Sequence, residues 1–412
     1  MSDVNNIVQG LYRAEFSRMV AVISKLFGLK HIEMAEDIVS ETFLAATENW
    51  ARNGLPENPV AWLYLVAKQK TIHQFRRQKI FDEKIIPRVK TSQETVTEAD
   101  VDFSPENIRD NQLQMMFAVC NPAIASEAQI ALALRILCGF SIDEIAQAFL
   151  SNKETINKRL HRAKEKLRTE NAELEMPTGD EIGRRLENVL HITYLLFNEG
   201  YYSSTQNETL RRDLCLEALR LGLLLTDFPA TNKPATNALV ALMCFHASRF
   251  DARQSDGESL ILYDQQDESL WNRELIARGE HYLHDASQGD EISSYHLEAG
   301  IAFWHCHKED TIEKWEAILD CYNLLLQINY SPVAALNRTY ALYKARGKEE
   351  ALKEAKKLAL TGDRFYYALL GELYSGIDDK QAYENLRRAH ELAKTEEERK
   401  ILKKKMDFCR KV

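Results

Sequence analysis

Lysine and arginine side chains are concentrated in the segment SNKETINKRLHRAKEKLR (151–168), although the formal net charge of the 412-residue chain is −9. Such side chains neutralise phosphate groups, so a dense run of them predicts contact with nucleic acid. The acidic excess lies entirely in residues 171–412, because residues 1–170 hold equal numbers of acidic and basic side chains. Attraction to nucleic acid would therefore come from local patches and not from the whole chain.

Two short amphipathic helices are predicted to position these cations. Ser141 and Glu144 match the capping-box pattern that begins a helix, and Ser151 and Glu154 repeat it ten residues later. Apolar residues then recur at helical spacing, first at Ile142, Ile145, Ala146 and Phe149, and then at Ile156, Leu160, Ala163 and Leu167. Two such helices joined by a tight turn form a helix-turn-helix, whose second helix reads DNA.

The second of these helices carries its cations opposite its apolar face. A solvated, charged helix face is the alternative interpretation, but the two capping patterns and the short turn favour DNA binding. The residues expected to contact DNA here are Lys153, Thr155, Lys158, Arg159 and Arg162.

An acidic stripe lies earlier in the chain, in HIEMAEDIVSETFLAATENW (31–50). Glu33, Asp37 and Glu41 are spaced four residues apart, and no lysine or arginine interrupts the segment. Like charges at this spacing destabilise a helix by about 0.2–0.5 kcal/mol per pair. A basic partner would explain why the stripe is present. Taken alone, however, the stripe is more typical of a solubilising surface.

The next segment, NGLPENPVAWLYLVAKQKTIHQFRRQK (53–79), interleaves aromatic rings with cations. Residues 61–80 contain five lysines and arginines and no acidic residue. Cations next to rings suit single-stranded or melted nucleic acid, where unpaired bases stack and phosphates need neutralising. For Trp62 and Tyr64, burial in a core is an equally good interpretation.

The whole sequence predicts an all-α protein. No segment alternates as a β-strand, and the chain has only 16 glycines and 9 prolines. We predict helical regions over 1–80 and 111–170, separated by a flexible acidic linker over 81–110. After a boundary at 171–181, helices continue through residues 182–412.

The C-terminal part shows weak internal repetition. The segment 331–358 resembles 363–392, and Ala335 and Ala368 lie 33 residues apart. That spacing is close to the period of a tetratricopeptide (TPR) helical pair. Stacked pairs form concave surfaces that bind proteins, so a partner-binding, TPR-like domain is predicted, with a purely structural solenoid as the alternative.

Several other functions are not supported by the sequence. No signal peptide is recognisable, and apolar runs such as 189–197 are too short to span a bilayer. Seven scattered cysteines without a CxxC pair are typical of a reducing, cytoplasmic setting. On a helix His305 and His307 would point about 200° apart, so they cannot share a metal ion. The segment 251–259 lacks the ligand spacing of a calcium loop. We expect no metal, no cofactor and no enzymatic activity, since no catalytic motif is present.

Three segments in order carry a family resemblance: AEDIVSETF, then AWLYLVAKQKTIHQFRR, then GFSIDEIAQAFLSNKETINKRLHRAKEKLR. Together they resemble a bacterial RNA polymerase sigma factor of the extracytoplasmic-function (ECF) class. The resemblance covers 5–80 as sigma domain 2 and 105–170 as sigma domain 4. The segments 194–204 and 252–271 are similar to the ECF group with a long TPR-like C-terminal extension. The D-G-G-P-L stretch associated with that group is absent here.

This resemblance implies roles for the patterns described above. Domain 2 would dock on the clamp coiled coil of the largest polymerase subunit through Glu36, Asp37 and Glu41. The loop 53–60 and the helix after it would recognise and hold open the promoter −10 element, with a flipped base captured in a pocket. The residues expected there are Asn58, Trp62, Lys68, Lys70, His73, Arg76 and Arg77. The linker 81–110 would pass near the active-site and RNA-exit channels. Domain 4 would contact the polymerase flap and read the −35 element through the cations of 151–168.

The expected function is a cytoplasmic initiation factor that binds core RNA polymerase and directs it to promoter DNA. Its C-terminal domain (182–412) would act as an intramolecular regulator, either covering domains 2 and 4 or being required for activity. The alternative is a helix-turn-helix transcription regulator with a TPR effector domain, acting without the core-polymerase role. The acidic stripe and the −10-type segment argue against that alternative.

Overall fold

The computed structural model describes residues 2–85, 100–170, 173–201, 208–253, 261, 263–394 and 396–409. Within these ranges the regular structure is helical and includes no β-strand, which confirms the all-α prediction. Contacts between residues divide the chain into two compact units, Met1–Thr231 and Asn232–Val412. In the described ranges, no helix combines the length and the apolar character that a membrane crossing requires.

The first unit contains nine α-helices in its described residues. They are α1 (Ser2–Phe27), α2 (Ile32–Asn53), α3 (Pro59–Ile85), α4 (Pro105–Val119), α5 (Ser126–Leu132), α6 (Ile142–Ala148), α7 (Lys153–Thr169), α8 (Glu181–Tyr201) and α9 (Glu208–Thr226). A short 3₁₀ turn joins α1 to α2, and a π-helical segment (Ala133–Leu137) continues α5. The first three helices match the extent of the predicted helical region at 1–80, with α3 continuing beyond it.

Helices α1, α2 and α3 pack together around large apolar side chains. Phe16 of α1, Val39 and Trp50 of α2, and Leu63 of α3 are almost completely buried. The buried residues of α2 recur every three or four positions, so one face of the helix lies in the core. The opposite face remains available for polar side chains, and Asp37 and Glu41 lie toward it.

The predicted linker over 81–110 is helical at both ends. Helix α3 continues to Ile85, and α4 begins at Pro105 after an N-cap at Ser104, whose Oγ accepts a hydrogen bond from the backbone N–H of Asn107. Proline suits the first turn of a helix because its missing N–H has no partner there. Residues 86–99 lie outside the described residues, so the linker stays a prediction.

Helix α6 begins at the predicted capping box. The backbone N–H of Ser141 donates to Glu144 Oε2 at 2.8 Å, and the backbone N–H of Glu144 donates to Ser141 Oγ at 3.2 Å. The turn after α6 contains Leu150 with φ of 47°, a left-handed conformation that reverses the chain before α7. This first half of the predicted helix-turn-helix is therefore confirmed.

The second predicted capping box, at Ser151 and Glu154, is wrong. The N-cap of α7 is Asn152, whose Oδ1 accepts a hydrogen bond from the backbone N–H of Thr155 at 2.8 Å. Asparagine is as good an N-cap as serine, so either neighbour was suited to begin the helix. The helix starts at Lys153, two residues after Ser151.

Helices α8 and α9 belong to the first unit, although the sequence prediction starts the C-terminal domain at residue 182. Arg185 Nη2 donates to the carbonyl of Phe117 at 2.5 Å, and Asn188 Nδ2 donates to that of Cys120 at 2.7 Å. The compact unit extends to Thr231. The boundary between the two compact units therefore lies about fifty residues after the start of the C-terminal domain predicted from the sequence.

Gly200 allows a close approach between α8 and α9. A Cβ at this position would lie 2.5 Å from the carbonyl oxygen of Arg211 and 2.7 Å from Cys215 Sγ. The Arg211 side chain in turn donates to the carbonyls of Gly200 and Tyr201 at 3.2 and 3.3 Å. Gly200 therefore has a packing role between the two helices.

We expect Gly200→Ala to destabilise the protein by about 1–3 kcal/mol, since the added methyl group meets a backbone atom that cannot move away alone. Gly183→Ala is a matched control in the same helix, because a methyl group added there would meet nothing within 4 Å. That substitution is expected to be neutral or stabilising. Thermal or denaturant unfolding of both variants tests the prediction, and equal stability of the two would contradict it.

The second unit is a succession of helices. They are α10 (Pro234–Ala247), α11 (Phe250–Arg253), α12 (Arg273–Ala286), α13 (Ser294–Trp304), α14 (Ile312–Ile328), α15 (Pro332–Arg346), α16 (Lys348–Leu358), α17 (Arg364–Tyr374), α18 (Asp379–Leu392) and α19 (Glu396–Cys409). From α13 onward each helix packs against the next. The two similar segments 331–358 and 363–392 each form a pair of helices, with Ala341, Ala351, Ala382 and Ala389 buried between them. The resemblance to TPR repeats stays a prediction.

Candidate nucleic-acid and partner interfaces

Helix α7 has one apolar and one basic face. Its four predicted apolar residues, Ile156, Leu160, Ala163 and Leu167, are all buried, which confirms that part of the prediction. Four of the five residues expected at DNA are exposed on the other side, namely Lys153, Thr155, Lys158 and Arg162. The N-terminal half of the helix therefore presents cations and a hydroxyl to solvent.

The lysines of this exposed face have only weak local partners. Lys153 pairs with Asp143 at 3.0 Å, and Lys158 pairs with Glu154 at 2.6 Å. All four side chains are more than half exposed. Pairs of this kind are worth about 1 kcal/mol or less. A phosphate can replace these carboxylates at little cost.

Arg159 occupies a different environment from the other four residues. It is half-buried, pairs with Glu127 of α5 at 3.0 Å and lies over the ring of Phe149 at 5.2 Å. These contacts hold α7 against α5 and α6. Arg162, by contrast, is exposed and makes no ion pair with any residue the structure describes.

The start of α3 holds two of the residues expected at the −10 element. Asn58 Oδ1 accepts a hydrogen bond from the backbone N–H of Ala61 at 3.0 Å and so caps the helix. Trp62 is half-buried, with its ring edge-on to that of Trp50 at a centroid distance of 5.4 Å. Both residues therefore support the helix start and remain partly accessible.

Two other aromatic residues of α3 are structural. The Tyr64 hydroxyl donates to Glu15, its ring stacks on Phe103, and burial followed by the Glu15 carboxylate raises the pKa of Tyr64. Phe75 stacks on Phe27 with ring centroids 4.0 Å apart. Neither ring is free to stack on a base, and the core interpretation holds for Tyr64.

The cations of α3 lie near the acidic residues of α2. Lys70, one of the residues expected to contact DNA, pairs instead with Glu41 of α2 at 2.9 Å. The remaining expected residues are His73, Arg76 and Arg77, which are exposed, and Lys68, which is half-buried. A basic surface is thus present along the second half of α3.

The acidic residues of α2 fall into two groups. Asp37 and Glu41 are exposed, whereas Glu36 is 6% exposed. Arg135 Nε donates to Glu36 Oε1 at 2.8 Å, and Lys164 of α7 donates to Glu36 Oε2. One of the three residues expected at the polymerase is therefore covered by the predicted domain 4.

A second contact extends this coverage. Arg168 of α7 forms an ion pair with Glu33, and its Nε donates to the carbonyl of Lys30 at 2.9 Å. We use the name α2–α7 contact for the contacts of Lys164 and Arg168 with α2 and the turn before it, together with the contact of Arg135 from the π-helical segment with Glu36. Sequence reasoning missed it. The spacing of Lys164 and Arg168 matches one helix face, but nothing in the sequence identifies the face it meets.

The exposed part of the acidic stripe borders a surface cleft between α2, α3 and the end of α7. The cleft has a volume of about 670 Å³ and is lined by Asp37, Glu41, Lys70, Arg77 and Arg168, among others. Burial, followed by the charges of Glu36 and Glu41, raises the pKa of Asp37. The negative charge of Asp37 is therefore less favourable than that of a free aspartate, and a cationic partner would relieve the repulsion from Glu36 and Glu41.

The two histidines considered for metal binding have different environments. His305 is half-buried at the end of α13, whereas His307 is exposed, with its Nδ1 3.1 Å from the carbonyl oxygen of Phe303. In the part of the chain that the structure describes, no group of three histidine, cysteine, aspartate or glutamate side chains is arranged to hold a metal ion.

Comparison with known proteins locates three family matches. Residues 11–80 match sigma-70 region 2, residues 124–167 match sigma-70 region 4, and residues 185–287 match a family of unknown function (DUF6596). An uncharacterized protein of Rhizobium meliloti strain 1021 is 33% identical over 352 residues, which covers 84% of this chain and 82% of that protein. No solved structure matches.

The two sigma-70 matches fall on the helices whose faces are described above. Region 2 covers α2 and most of α3, and region 4 covers α5, α6 and most of α7. These regions give the protein a role in promoter-specific transcription. The third match begins within α8, beyond both sigma regions. The chain therefore belongs to the sigma-70 family, as an ECF-type sigma factor with an additional C-terminal domain.

Proposed function

We propose that this sigma factor binds core RNA polymerase through the exposed acidic residues of α2. The supporting observation is that Asp37 and Glu41 stay exposed on the helix that carries the region 2 match. The raised pKa of Asp37 reflects an unfavourable negative charge, and a basic surface on the polymerase clamp would compensate it. Glu36 would join this interface once the α2–α7 contact opens.

Promoter recognition would use two separate basic surfaces. At the −35 element, α7 would enter the major groove with its N-terminal half, where Lys153, Thr155, Lys158 and Arg162 are exposed. At the −10 element, Trp62 and the exposed cations of α3 would face the melted strand. Arg159 would orient α7 and contribute to DNA binding through that support.

The C-terminal domain would modulate activity through α8 and α9. These helices donate hydrogen bonds to backbone carbonyls of the predicted domain 4, from Arg185 to Phe117 and from Arg220 to Leu137 at 2.7 Å. A change of structure in the DUF6596 region would therefore bear directly on domain 4. The α2–α7 contact would in turn link domain 4 to polymerase docking.

Run-off transcription tests this function. Purified core polymerase would be given fragmented source-genome DNA, with and without the full chain, and discrete new transcripts are expected only with the protein. The same assay with residues 1–231, cut at the end of the first compact unit, measures the effect of the C-terminal domain. Absence of specific transcripts with both forms would contradict the proposal.

Arg162→Ala is expected to weaken promoter binding by the polymerase complex about tenfold. The estimate corresponds to the 1–3 kcal/mol of one specific side-chain contact. Lys166→Ala is the control, because Lys166 lies near the other end of α7 and pairs with Glu170. Electrophoretic mobility or fluorescence binding assays would measure both. An equal loss in the two variants would indicate general electrostatic attraction instead of contact by the N-terminal half of α7.

A further inference from the structure

A cluster of cationic and aromatic side chains lies inside the second unit. Arg249, Tyr263, Trp271, His305 and Lys314 form it, and we name it the Tyr263 cluster. The guanidinium of Arg249 lies 5.7 Å from the centroid of the Tyr263 ring, and the ammonium of Lys314 lies 5.1 Å from it. Arg249 is 6% exposed and Lys314 is 2% exposed. Two positive charges are therefore buried near one ring, in the acidic part of the chain.

Neither cation forms an ion pair with a carboxylate among the described residues, although Asp310 and Asp264 act electrostatically on Lys314 from a greater distance. Lys314 Nζ donates to the Tyr263 hydroxyl at 3.0 Å and to the carbonyl of His307 at 2.5 Å, which are both neutral acceptors. Arg249 makes no ion pair there, and its buried Nε has no hydrogen-bond partner. A buried charge without a counter-charge costs several kcal/mol, so its presence calls for an anion.

Further polar atoms around the same ring also lack partners. Trp271 is 3% exposed, and the ring of His305 lies 5.2 Å from that of Tyr263. Trp271 Nε1 and His305 Nδ1 are buried and have no hydrogen-bond partner among the described residues. Burial, together with the charges of Arg249 and Lys314, lowers the pKa of His305 to about 3, so its imidazole is neutral.

The arrangement thus combines unpaired donors with the buried positive charge of Arg249, which has no ion-pair partner among the described residues. Bound water satisfies hydrogen-bond donors but leaves the charge of Arg249 without a counter-ion. An oxyanion does both, because its oxygens accept several hydrogen bonds and carry the opposite charge. We propose that the Tyr263 cluster binds a small oxyanion, a carboxylate or phosphate group, through Arg249, Lys314 and the Trp271 indole.

Thermal unfolding of the full chain tests the proposal. Inorganic phosphate and acetate would be compared with chloride at constant ionic strength. The preferred anion is expected to raise the transition of the second unit by about 5 °C at saturating concentration. A shift with phosphate alone identifies a phosphate site, and a shift with acetate identifies a carboxylate site. No shift with either anion overturns the proposal of a free ligand.

Arg249→Gln separates binding from structure. The variant is expected to be at least as stable as the native chain in chloride, because it removes an unpaired buried charge, and to lose the anion-dependent shift. Arg278→Gln is the matched control, since Arg278 is an exposed residue paired with Glu274 at 2.8 Å. That variant should keep the full shift. A large destabilisation of Arg249→Gln in chloride would show instead that the chain itself compensates Arg249.

The alternative to a free ligand is a carboxylate from the protein itself. Asp256 and Glu258 fall between Arg253 and Ile261 in the sequence, within residues that the structure does not describe. The double variant Asp256→Asn/Glu258→Gln should respond to the anion as the native chain does. If only the double variant responds, these carboxylates already supply the counter-charge, and the proposal of a free ligand is wrong.

Discussion

Reversing the two exposed charges of α2, in Asp37→Lys/Glu41→Lys, is expected to weaken binding to core RNA polymerase by at least about 100-fold. Placing like charges across an interface costs several kcal/mol, and each 1.4 kcal/mol corresponds to a factor of ten. Promoter-specific transcription should be lost to the same extent. Titration of labelled protein with purified core polymerase would measure the affinity, and run-off transcription would measure the activity.

The fold should tolerate this double reversal. Both side chains are exposed. Partial desolvation and the carboxylates of Glu36 and Glu41 raise the pKa of Asp37, so replacing its negative charge removes a repulsion within α2. The loss of the exposed pair between Glu41 and Lys70 costs about 1 kcal/mol or less. The unfolding temperature is therefore expected to change by only about 2–4 °C.

Glu106→Lys/Asp110→Lys provides a matched control. Its two residues have the same four-residue spacing and the same change in net charge, but they lie exposed on α4. We expect this control to bind core polymerase within about threefold of the native chain, because a non-contacting charge acts only through the screened overall field. A comparable loss of affinity in both double variants would refute docking through α2 and leave only a dependence on net charge.

The local structure of the recognition helix was predictable because it depends on nearby residues. The spacing of Ile156, Leu160, Ala163 and Leu167 identified the buried face of α7, and the structure buries all four. The choice of cap was less certain, since Ser151 and Asn152 are adjacent and both suit an N-cap. Because serine and asparagine are about equally good N-caps, the sequence pattern alone does not decide between these two neighbours.

Contacts between distant segments were not predictable in the same way. Glu36 belongs to an acidic helix that reads as solvent-exposed, yet its partners Arg135 and Lys164 lie 99 and 128 residues further along the chain. Helices α8 and α9 likewise join the first unit through hydrogen bonds to backbone carbonyls, such as that from Asn188 to Cys120. Every residue has a backbone carbonyl, so the sequence does not indicate which carbonyl accepts such a hydrogen bond.

These distant contacts cover part of the surface that is expected to dock on polymerase. Glu36 is enclosed while Asp37 and Glu41 stay open, so only part of the surface is available to a partner. If polymerase docking needs Glu36, the protein must first separate α7 from α2. The free energy of that separation then subtracts from the affinity for polymerase, because only the open fraction of molecules is competent.

Lys164→Met is therefore expected to tighten binding to core polymerase by about tenfold. The side chains of Lys164 and Glu36 are 11% and 7% exposed, and removing one partner of such a buried pair destabilises the closed form by about 3–5 kcal/mol. Arg135 still pairs with Glu36 in this variant. We therefore expect only part of this destabilisation to shift the equilibrium from the closed form toward the open form. Titration with core polymerase measures the affinity, and hydrogen exchange at the start of α2 reports opening independently.

Lys166→Met separates this effect from the general loss of a cation on α7. Lys166 pairs with Glu170 at 2.7 Å near the end of α7, and both side chains are nearly half exposed. Because such a pair contributes little, the affinity of the Lys166→Met variant for core polymerase should stay within about twofold of the native value. Faster hydrogen exchange in Lys164→Met without tighter binding would mean that the contact opens but does not compete with polymerase. Unchanged exchange and affinity would mean that Arg135 and Arg168 hold the contact without Lys164. Tighter binding in Lys164→Met alone would establish that domain 4 limits access to the polymerase-docking helix.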